Sequence, residues 1–185
     1  MPRPALQILL AIALALAATY YWDPSTAPTV DQDTSARQQA LPRTYLQSTR
    51  SWSYDEQGNL TDILEASNVE RFPQRNESLI TAPRFYSHSG DDRTWSATAE
   101  HGRFLHNPRR LLLSQDVVLE HDQTGTRMDS STLDIRMKTK TARSKSNVTI
   151  TQGNNRTVAD GMIARLDKET ITLGPNVESI YVQQP

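Results

Sequence analysis

Side chains that could bind a metal ion are few in this sequence and widely spaced. A zinc site needs three or four histidine, cysteine or carboxylate ligands that converge on one point. The chain has no cysteine. Its four histidines lie near predicted turns or strand ends, where solvated histidines are common: His88, His101, His106 and His121. We therefore predict no metal site, and no motif points to a cofactor.

A pair of neighbouring carboxylates is the best candidate for acid–base catalysis. Asp91 and Asp92 lie in the segment SGDDR, residues 89–93, between two predicted strands. Glycine and aspartate at such a place are typical of a hairpin turn. The sequence has no nucleophile elbow, dinucleotide-binding fingerprint or phosphate-binding loop. We predict that the protein is not an enzyme; the alternative is an exported hydrolase whose site has no recognisable motif.

Five basic residues without an intervening acid occupy the segment RMKTKTARSK, residues 136–145. If this segment is a strand, Arg136, Lys138 and Lys140 project from one face and could bind the phosphates of an anionic lipid. The alternative, which we favour, is a solvated outer face whose charges protect a sheet edge. The whole chain has 20 basic and 21 acidic residues, so we predict no nucleic-acid partner.

The one long apolar segment is ALQILLAIALALAATYYW, residues 5–22. As a helix it would span about 27 Å, which is close to the roughly 30 Å core of a bilayer. Arg3 precedes it and acidic residues follow it, so the positive-inside rule places residues 1–4 in the cytoplasm and the rest outside. The alternative is a signal peptide cleaved at Ala15-Leu16-Ala17. Both interpretations export the remainder of the chain.

The rest of the chain divides into a linker and one domain. Residues 23–43 contain three prolines and few apolar side chains, which is typical of a flexible linker. Residues 44–185 consist of short alternating runs; Leu133, Ile135 and Met137, for example, alternate with charged residues. Alternation with a period of two predicts half-buried β-strands.

A short phrase returns within this domain at a nearly fixed interval, as SQDVVLEH at residues 114–121, KSNVTITQ at 145–152 and GPNVESIY at 174–181. Aligned on Val117, Val148 and Val177, the intervals are 31 and 29 residues. Arg84 takes the same place 33 residues before Val117. Tandem units of this size must stack to bury their apolar faces. We predict an all-β fold, an antiparallel two-sheet jelly-roll-like sandwich or solenoid.

The order of the segments resembles the LptC family of lipopolysaccharide export proteins over the whole chain. After the anchor and linker, TYLQSTRSWSYDEQGNLTDILEASNVERFP at residues 44–73 is similar to the start of that family's domain. The later strands SLITAPRFYS, TWSATAEHGRF and GMIARLDKETITL follow in the family's order.

The resemblance implies a function and a location. Such proteins receive lipopolysaccharide from an inner-membrane ABC transporter with periplasmic jelly rolls. They hold its acyl chains between two β-sheets and pass it to a soluble periplasmic bridge protein of similar fold, for delivery to the outer membrane. The chain would then be a single-pass inner-membrane protein with its N-terminus in the cytoplasm and its domain in the periplasm.

The resemblance also implies two docking edges and an inner lipid-binding face. The first edge would contact the transporter and the last edge the bridge protein, through Tyr45 and Tyr54, and through Ile171, Leu173, Val177, Ile180 and Val182. Ile80 matches a lipid-contacting position that is aromatic in the family. A lipid carrier needs an accessible inner face, for which we predict Ile80, Trp95, Leu113, Val117, Leu133, Ile135, Val148 and Ile150.

Small inward residues such as Ala66, Ala97 and Ala159 favour a gap between the sheets over a solid core. The alternative is a structural adaptor that binds no lipid, has a solid core and joins membrane and periplasmic jelly-roll proteins by edge-strand pairing.

Overall fold

The computed structural model describes residues 12–14, 17, 41–89 and 92–182. The chain forms two units, residues 1–38 and 39–185. In the first unit the described residues are helical, and no helix of the described residues is long and apolar enough to cross a membrane. The predicted anchor and linker lie mostly outside the described residues.

The described part of the second unit is built from β-strands and one 3-10 turn, Pro73–Arg75. The strands are β1 (Thr44–Tyr54), β2 (Leu60–Phe72), β3 (Glu77–Thr81), β4 (Arg84–Ser89), β5 (Asp92–Thr98), β6 (His101–Leu105), β7 (Arg110–His121), β8 (Thr126–Arg136), β9 (Thr141–Ser144), β10 (Val148–Gln152), β11 (Asn155–Ala159), β12 (Met162–Arg165), β13 (Thr170–Leu173) and β14 (Glu178–Ile180).

These strands form an antiparallel meander of long bent strands. Four of the long strands continue through the bend, namely β1, β2, β7 and β8. Each of the other long strands consists of two consecutive labelled segments, one on either side of the bend: β3 with β4, β5 with β6, β9 with β10, β11 with β12 and β13 with β14. β2, for example, pairs with β4 through residues 62–65 and with β3 through residues 68–72. The all-β antiparallel prediction is therefore confirmed.

The bends divide the strands into two layers that face each other. Layer A contains β3, β6, residues 110–114 of β7, residues 132–136 of β8, β9, β12 and β13. Layer B contains β4, β5, residues 117–121 of β7, residues 126–130 of β8, β10, β11 and β14. We call the line of bends that joins them the spine.

The sequence predicted two separate sheets, and this part of the prediction is wrong. The layers are the two arms of one continuous sheet of fourteen strands in the described residues. The physical reason is that long strands such as β2 and β7 bend without ending, so that hydrogen bonding passes from one layer to the other.

The local backbone at the spine explains the repeated phrase. Val117 and Val148 each begin the layer B arm of a strand, and Gln115 and Asp116, just before Val117, have positive φ angles of 66° and 48°. Asn176, just before Val177, has a φ of 57°. Asparagine and aspartate tolerate this left-handed conformation better than most residues. One repeat unit is therefore a hairpin of two long bent strands.

The inner side chains of both layers form one hydrophobic core. In layer A, Leu111, Ile135, Ala142 and Ala164 lie side by side on four neighbouring strands, and each is 0% exposed. Trp95 of layer B, which is also fully buried, belongs to the same core. The row thus combines two large side chains with two alanines, and complete burial of all four indicates close packing of this part of the core.

The two faces of layer A should respond very differently to the same substitution. We predict that Ile135→Ala lowers the free energy of unfolding by about 2–5 kcal/mol, because it leaves a cavity in the core. Ile163→Ala, on the outer face of β12, should cost less than about 1 kcal/mol. Urea unfolding of both variants tests this, and equal losses would contradict the assigned inner face.

Candidate functional site

A cavity of about 430 Å³ lies between the layers at the β1 end of the domain. Its volume is within the usual range for small-molecule sites, roughly 300–1,000 Å³. Its lining is mainly apolar and draws on both layers, with Leu46, Leu64, Val69, Ile80, Phe104 and Met137. A cavity of this kind can shelter hydrocarbon from water.

All eight predicted inner-face residues lie between the layers. Seven of them are less than 5% exposed, namely Ile80, Trp95, Leu113, Val117, Leu133, Ile135 and Val148. Ile150 is partly buried and packs against the same core. Ile80 is the one of the eight that lines the cavity. Elsewhere the two layers pack against each other, so contact of the other seven with lipid remains a prediction.

Most of the residues that line the cavity were not among those predicted from the sequence. Leu64 and Ala66 face it, as strict alternation along β2 requires, but so does Val69, three residues later. The bend between them shifts the alternation by one residue. A sequence pattern with a fixed period of two therefore assigns Val69 to the wrong face.

We call the side opposite the spine the mouth, where the free ends of the two layers meet. Among the described residues, three polar contacts cross it. Lys140 Nζ lies 2.6 Å from Asp62 Oδ1 and donates to the Thr61 carbonyl oxygen at 3.1 Å. Arg109 Nη2 donates to Ser53 Oγ at 2.9 Å.

The third contact, between His121 Nε2 and Glu169 Oε2, measures 3.4 Å. No strand pairing joins the layers along the mouth in the described residues, so side chains hold it closed.

The structure corrects one prediction about the basic segment, residues 136–145. β8 ends at Arg136, so Lys138 and Lys140 lie in the β8–β9 turn and do not share a strand face with it. The Lys140 side chain is 23% exposed and that of Asp62 is 6% exposed. A carboxylate this buried needs a cation, because its desolvation is otherwise uncompensated.

Two buried nitrogen atoms near the mouth have no hydrogen-bond partner in the described residues. They are Trp95 Nε1 and His88 Nδ1. The Trp95 ring instead contacts His121 edge to face, with ring centroids 4.6 Å apart. Unpaired buried polar atoms cost free energy, and water could reach them if the layers separated. The mouth is thus less well stabilised than the core.

Two histidines close to the mouth have altered acidity. Burial lowers the pKa of His106, whose Nε2 lies 2.9 Å from Ser78 Oγ, and the charge of Arg71 lowers it further. Burial also lowers the pKa of His88, against an opposing effect of Asp62. Both imidazoles are therefore held neutral more strongly than in water.

Within the described residues, no three side chains of metal-binding type come together.

Each end of the sheet has strands that are paired on one side only among the described residues. β1 pairs only with β2, and Tyr45 and Tyr54 on it are 53% and 61% exposed. Trp52, which was not among the predicted edge residues, is 51% exposed on the same strand. This edge therefore offers both backbone groups and aromatic side chains.

The C-terminal edge is double, which the sequence did not predict. β13 ends layer A and β14 ends layer B. Of the predicted edge residues, Val177, Ile180 and Val182 are at least 50% exposed. Ile171 and Leu173 are instead partly buried against the core, because β13 turns both side chains inward.

The described domain is one antiparallel sheet folded into two layers, with a cavity between the layers and an open edge at either end. The fold is similar to that of LptH, described as the LptA-homologous periplasmic component of the conserved lipopolysaccharide transport device from Pseudomonas aeruginosa. The TM-score is 0.52 at 10% identity, over 67% of this chain and 95% of LptH. This similarity shows the fold.

Residues 10–182 match the family described as lipopolysaccharide-assembly, LptC-related. The chain belongs to this family, and the resemblance inferred from the sequence is confirmed. A search of curated proteins gave no significant match. Family membership implies a role in lipopolysaccharide transport, with lipopolysaccharide and a bridge protein of similar fold as partners.

Removal of the Lys140 amine should destabilise the mouth. We predict that Lys140→Met lowers the free energy of unfolding by about 2 kcal/mol, because the buried Asp62 carboxylate loses its cation. Lys138→Met, in the same turn, should change it by less than about 0.5 kcal/mol. Urea unfolding compares the two, and equal effects would show that the Lys140–Asp62 contact does not stabilise the fold.

The stability of the domain should fall in mild acid because of the two histidines. Their folded-state pKa values are lowered, so below about pH 6.5 the unfolded chain binds protons that the folded chain does not. This contribution is complete above about pH 6.5 and is lost as the pH falls through the folded-state pKa values.

We predict that His88→Gln/His106→Gln loses less stability than the wild type between about pH 7 and about pH 5.5. The exposed His101→Gln variant is the control. Denaturant unfolding at each pH measures the difference, and parallel profiles for all three proteins would contradict the assignment.

Proposed function

We propose that the protein is a lipid carrier anchored in the inner membrane, with its sheet domain in the periplasm. It receives lipopolysaccharide from an inner-membrane ABC transporter and passes it to a soluble bridge protein. The observation that carries this proposal is the apolar cavity between the layers of a chain that belongs to the LptC-related family.

The size of the cavity favours partial and reversible shielding of acyl chains. Each methylene removed from water contributes about 0.8 kcal/mol, so complete burial of several long chains would prevent release. The cavity of about 430 Å³ shelters part of a lipid, and further room requires the layers to separate. Energy for directed movement would come from the transporter's ATPase.

The mouth is where the layers would separate. The contacts across it are side-chain bridges, whereas the spine is held by continuous hydrogen-bonded strands. Separation would also give Trp95 Nε1 and His88 Nδ1 access to water, which offsets part of the cost. The spine thus acts as the closed side of the cleft and the mouth as the side through which lipid enters.

The open edges supply the two partner contacts of the proposal. An unpaired strand accepts a strand from another sheet, and exposed side chains then select the partner. β1, with its aromatic residues, would dock on the transporter, whereas β13 and β14 would dock on the bridge protein. Docking through both layers at once would make the clefts of the two proteins continuous.

Transfer of lipid along these clefts breaks no covalent bond, so we propose a carrier without enzymatic activity.

The second candidate function is the adaptor that binds no lipid. It is favoured by the close packing around Ile135 and Leu111, both 0% exposed, which leaves no space in that part of the core. In this case the edges would carry the whole function and the cavity would have no ligand.

Photo-crosslinking in cells that make lipopolysaccharide separates the two functions. We predict that p-azidophenylalanine at Phe104, which lines the cavity, forms an adduct with lipopolysaccharide. At Tyr86, an aromatic residue on a strand of layer B that does not line the cavity, no adduct should form. The probe resembles both side chains closely, so folding should be retained, and the unfolding midpoint checks this.

An adduct at Phe104 alone would support the carrier. Adducts at neither position, in proteins that unfold at the wild-type midpoint, would contradict it and favour the adaptor.

A further inference from the structure

A second groove, of about 660 Å³, lies directly beside the cavity at the mouth and carries a concentration of positive charge. Five cations line it, namely Arg109, Arg110, Arg136, Lys138 and Lys140, with Asp62 as the one carboxylate in its lining. The chain as a whole has a formal net charge of −1. The groove is therefore a local departure from the balance of charge.

Two of these cations are already neutralised by carboxylates. Arg110 donates two hydrogen bonds to Asp134, at 3.1 and 2.6 Å, and Lys140 pairs with Asp62. Such pairs fix the geometry of the β8–β9 turn but leave little charge for a ligand.

The other three cations have at most a weak carboxylate partner among the described residues. Arg109 donates only to the neutral hydroxyl of Ser53 in the described part of the chain. Arg136 is 3.9 Å from Asp134, which Arg110 already holds. Lys138 makes no hydrogen bond or ion pair with any described residue. Three neighbouring cations with little compensation repel one another, and an anion bound between them would remove that repulsion.

The groove and the apolar cavity share residues. Arg109, His106, Met137 and Asp62 line both, so the cationic groove adjoins the apolar cavity. This arrangement matches the chemistry of an amphiphile with anionic groups at one end and hydrocarbon at the other. A small soluble anion would use the groove but not the cavity.

We propose that Arg109, Arg136 and Lys138 form a headgroup site that binds the phosphate groups of an amphiphile whose acyl chains occupy the cavity. This inference rests on the proposed function and deepens it. It orients the lipid with its phosphates at the mouth and its chains towards Ile80 and Phe104. Arginine and lysine both form charge-assisted hydrogen bonds to phosphate oxygens, which are among the strongest in proteins.

The chain provides a matched control for this site. Arg143 and Lys145 are exposed cations that line a different groove, formed with Leu79 and Leu112 on the outer face of layer A. The double variants Arg136→Gln/Lys138→Gln and Arg143→Gln/Lys145→Gln therefore remove the same two side-chain types and the same charge. They differ only in position.

The experiment measures binding of fluorescent lipids to the full chain in nanodiscs that contain no lipopolysaccharide. The probes are lipopolysaccharide and the same lipopolysaccharide with its lipid phosphates removed enzymatically. We expect Arg136→Gln/Lys138→Gln, which line the groove but not the apolar cavity, to weaken binding of the phosphorylated lipid by about tenfold or more. Binding of the dephosphorylated lipid should be unchanged, and Arg143→Gln/Lys145→Gln should bind both lipids like the wild type.

The other outcomes separate the two proposals. If the wild type binds neither lipid, the carrier function itself is overturned. If it binds both, the carrier function stands. The headgroup site is then overturned if Arg136→Gln/Lys138→Gln binds the phosphorylated lipid normally, or if Arg143→Gln/Lys145→Gln is weakened equally. Inorganic phosphate that binds the wild type as tightly as the phosphorylated lipid would assign the groove to free phosphate and overturn the lipid site.

Discussion

The bending of every long strand at the spine is the constraint on which the rest of this domain depends. Because the hydrogen-bonded ladder continues through the bend, one sheet supplies both layers, and each strand has one arm on either side of the cleft. The closed side of the cleft is thereby fixed by backbone hydrogen bonds. The opposite side has no such ladder among the described residues and depends on side chains. The asymmetry between spine and mouth follows from this one feature.

A carrier of lipid needs this asymmetry. A core that was packed throughout like the region around Ile135 would hold no ligand, and a cleft that was open throughout would leave the apolar faces in water. The domain combines a packed region with a cavity near β1, lined by side chains such as Leu64 and Phe104. The packed region stabilises the fold while the cavity remains available for hydrocarbon.

Polar groups at the mouth serve a different purpose from those at the edges. Lys140 and Asp62 join the two layers within one molecule, and their charges compensate each other. The unpaired backbones of β1 and β14 point to a second molecule, because a sheet edge without a partner strand still has hydrogen bonds to offer. In the proposed carrier, folding and docking would therefore depend on separate parts of the structure.

The amino-acid sequence by itself determined the all-β class, the repeat of two long strands, the family, and the inward direction of residues such as Trp95 and Val148. The family rests on the resemblance of segments in their order, and the other three rest on alternation or spacing along the chain, which are local properties. The tertiary structure alone decided that Val69 faces the cavity, because the bend shifts the alternation. It also decided that Lys140 meets Asp62, 78 residues away. No local pattern encodes such a contact, since it exists only when the spine folds one arm of the sheet over the other.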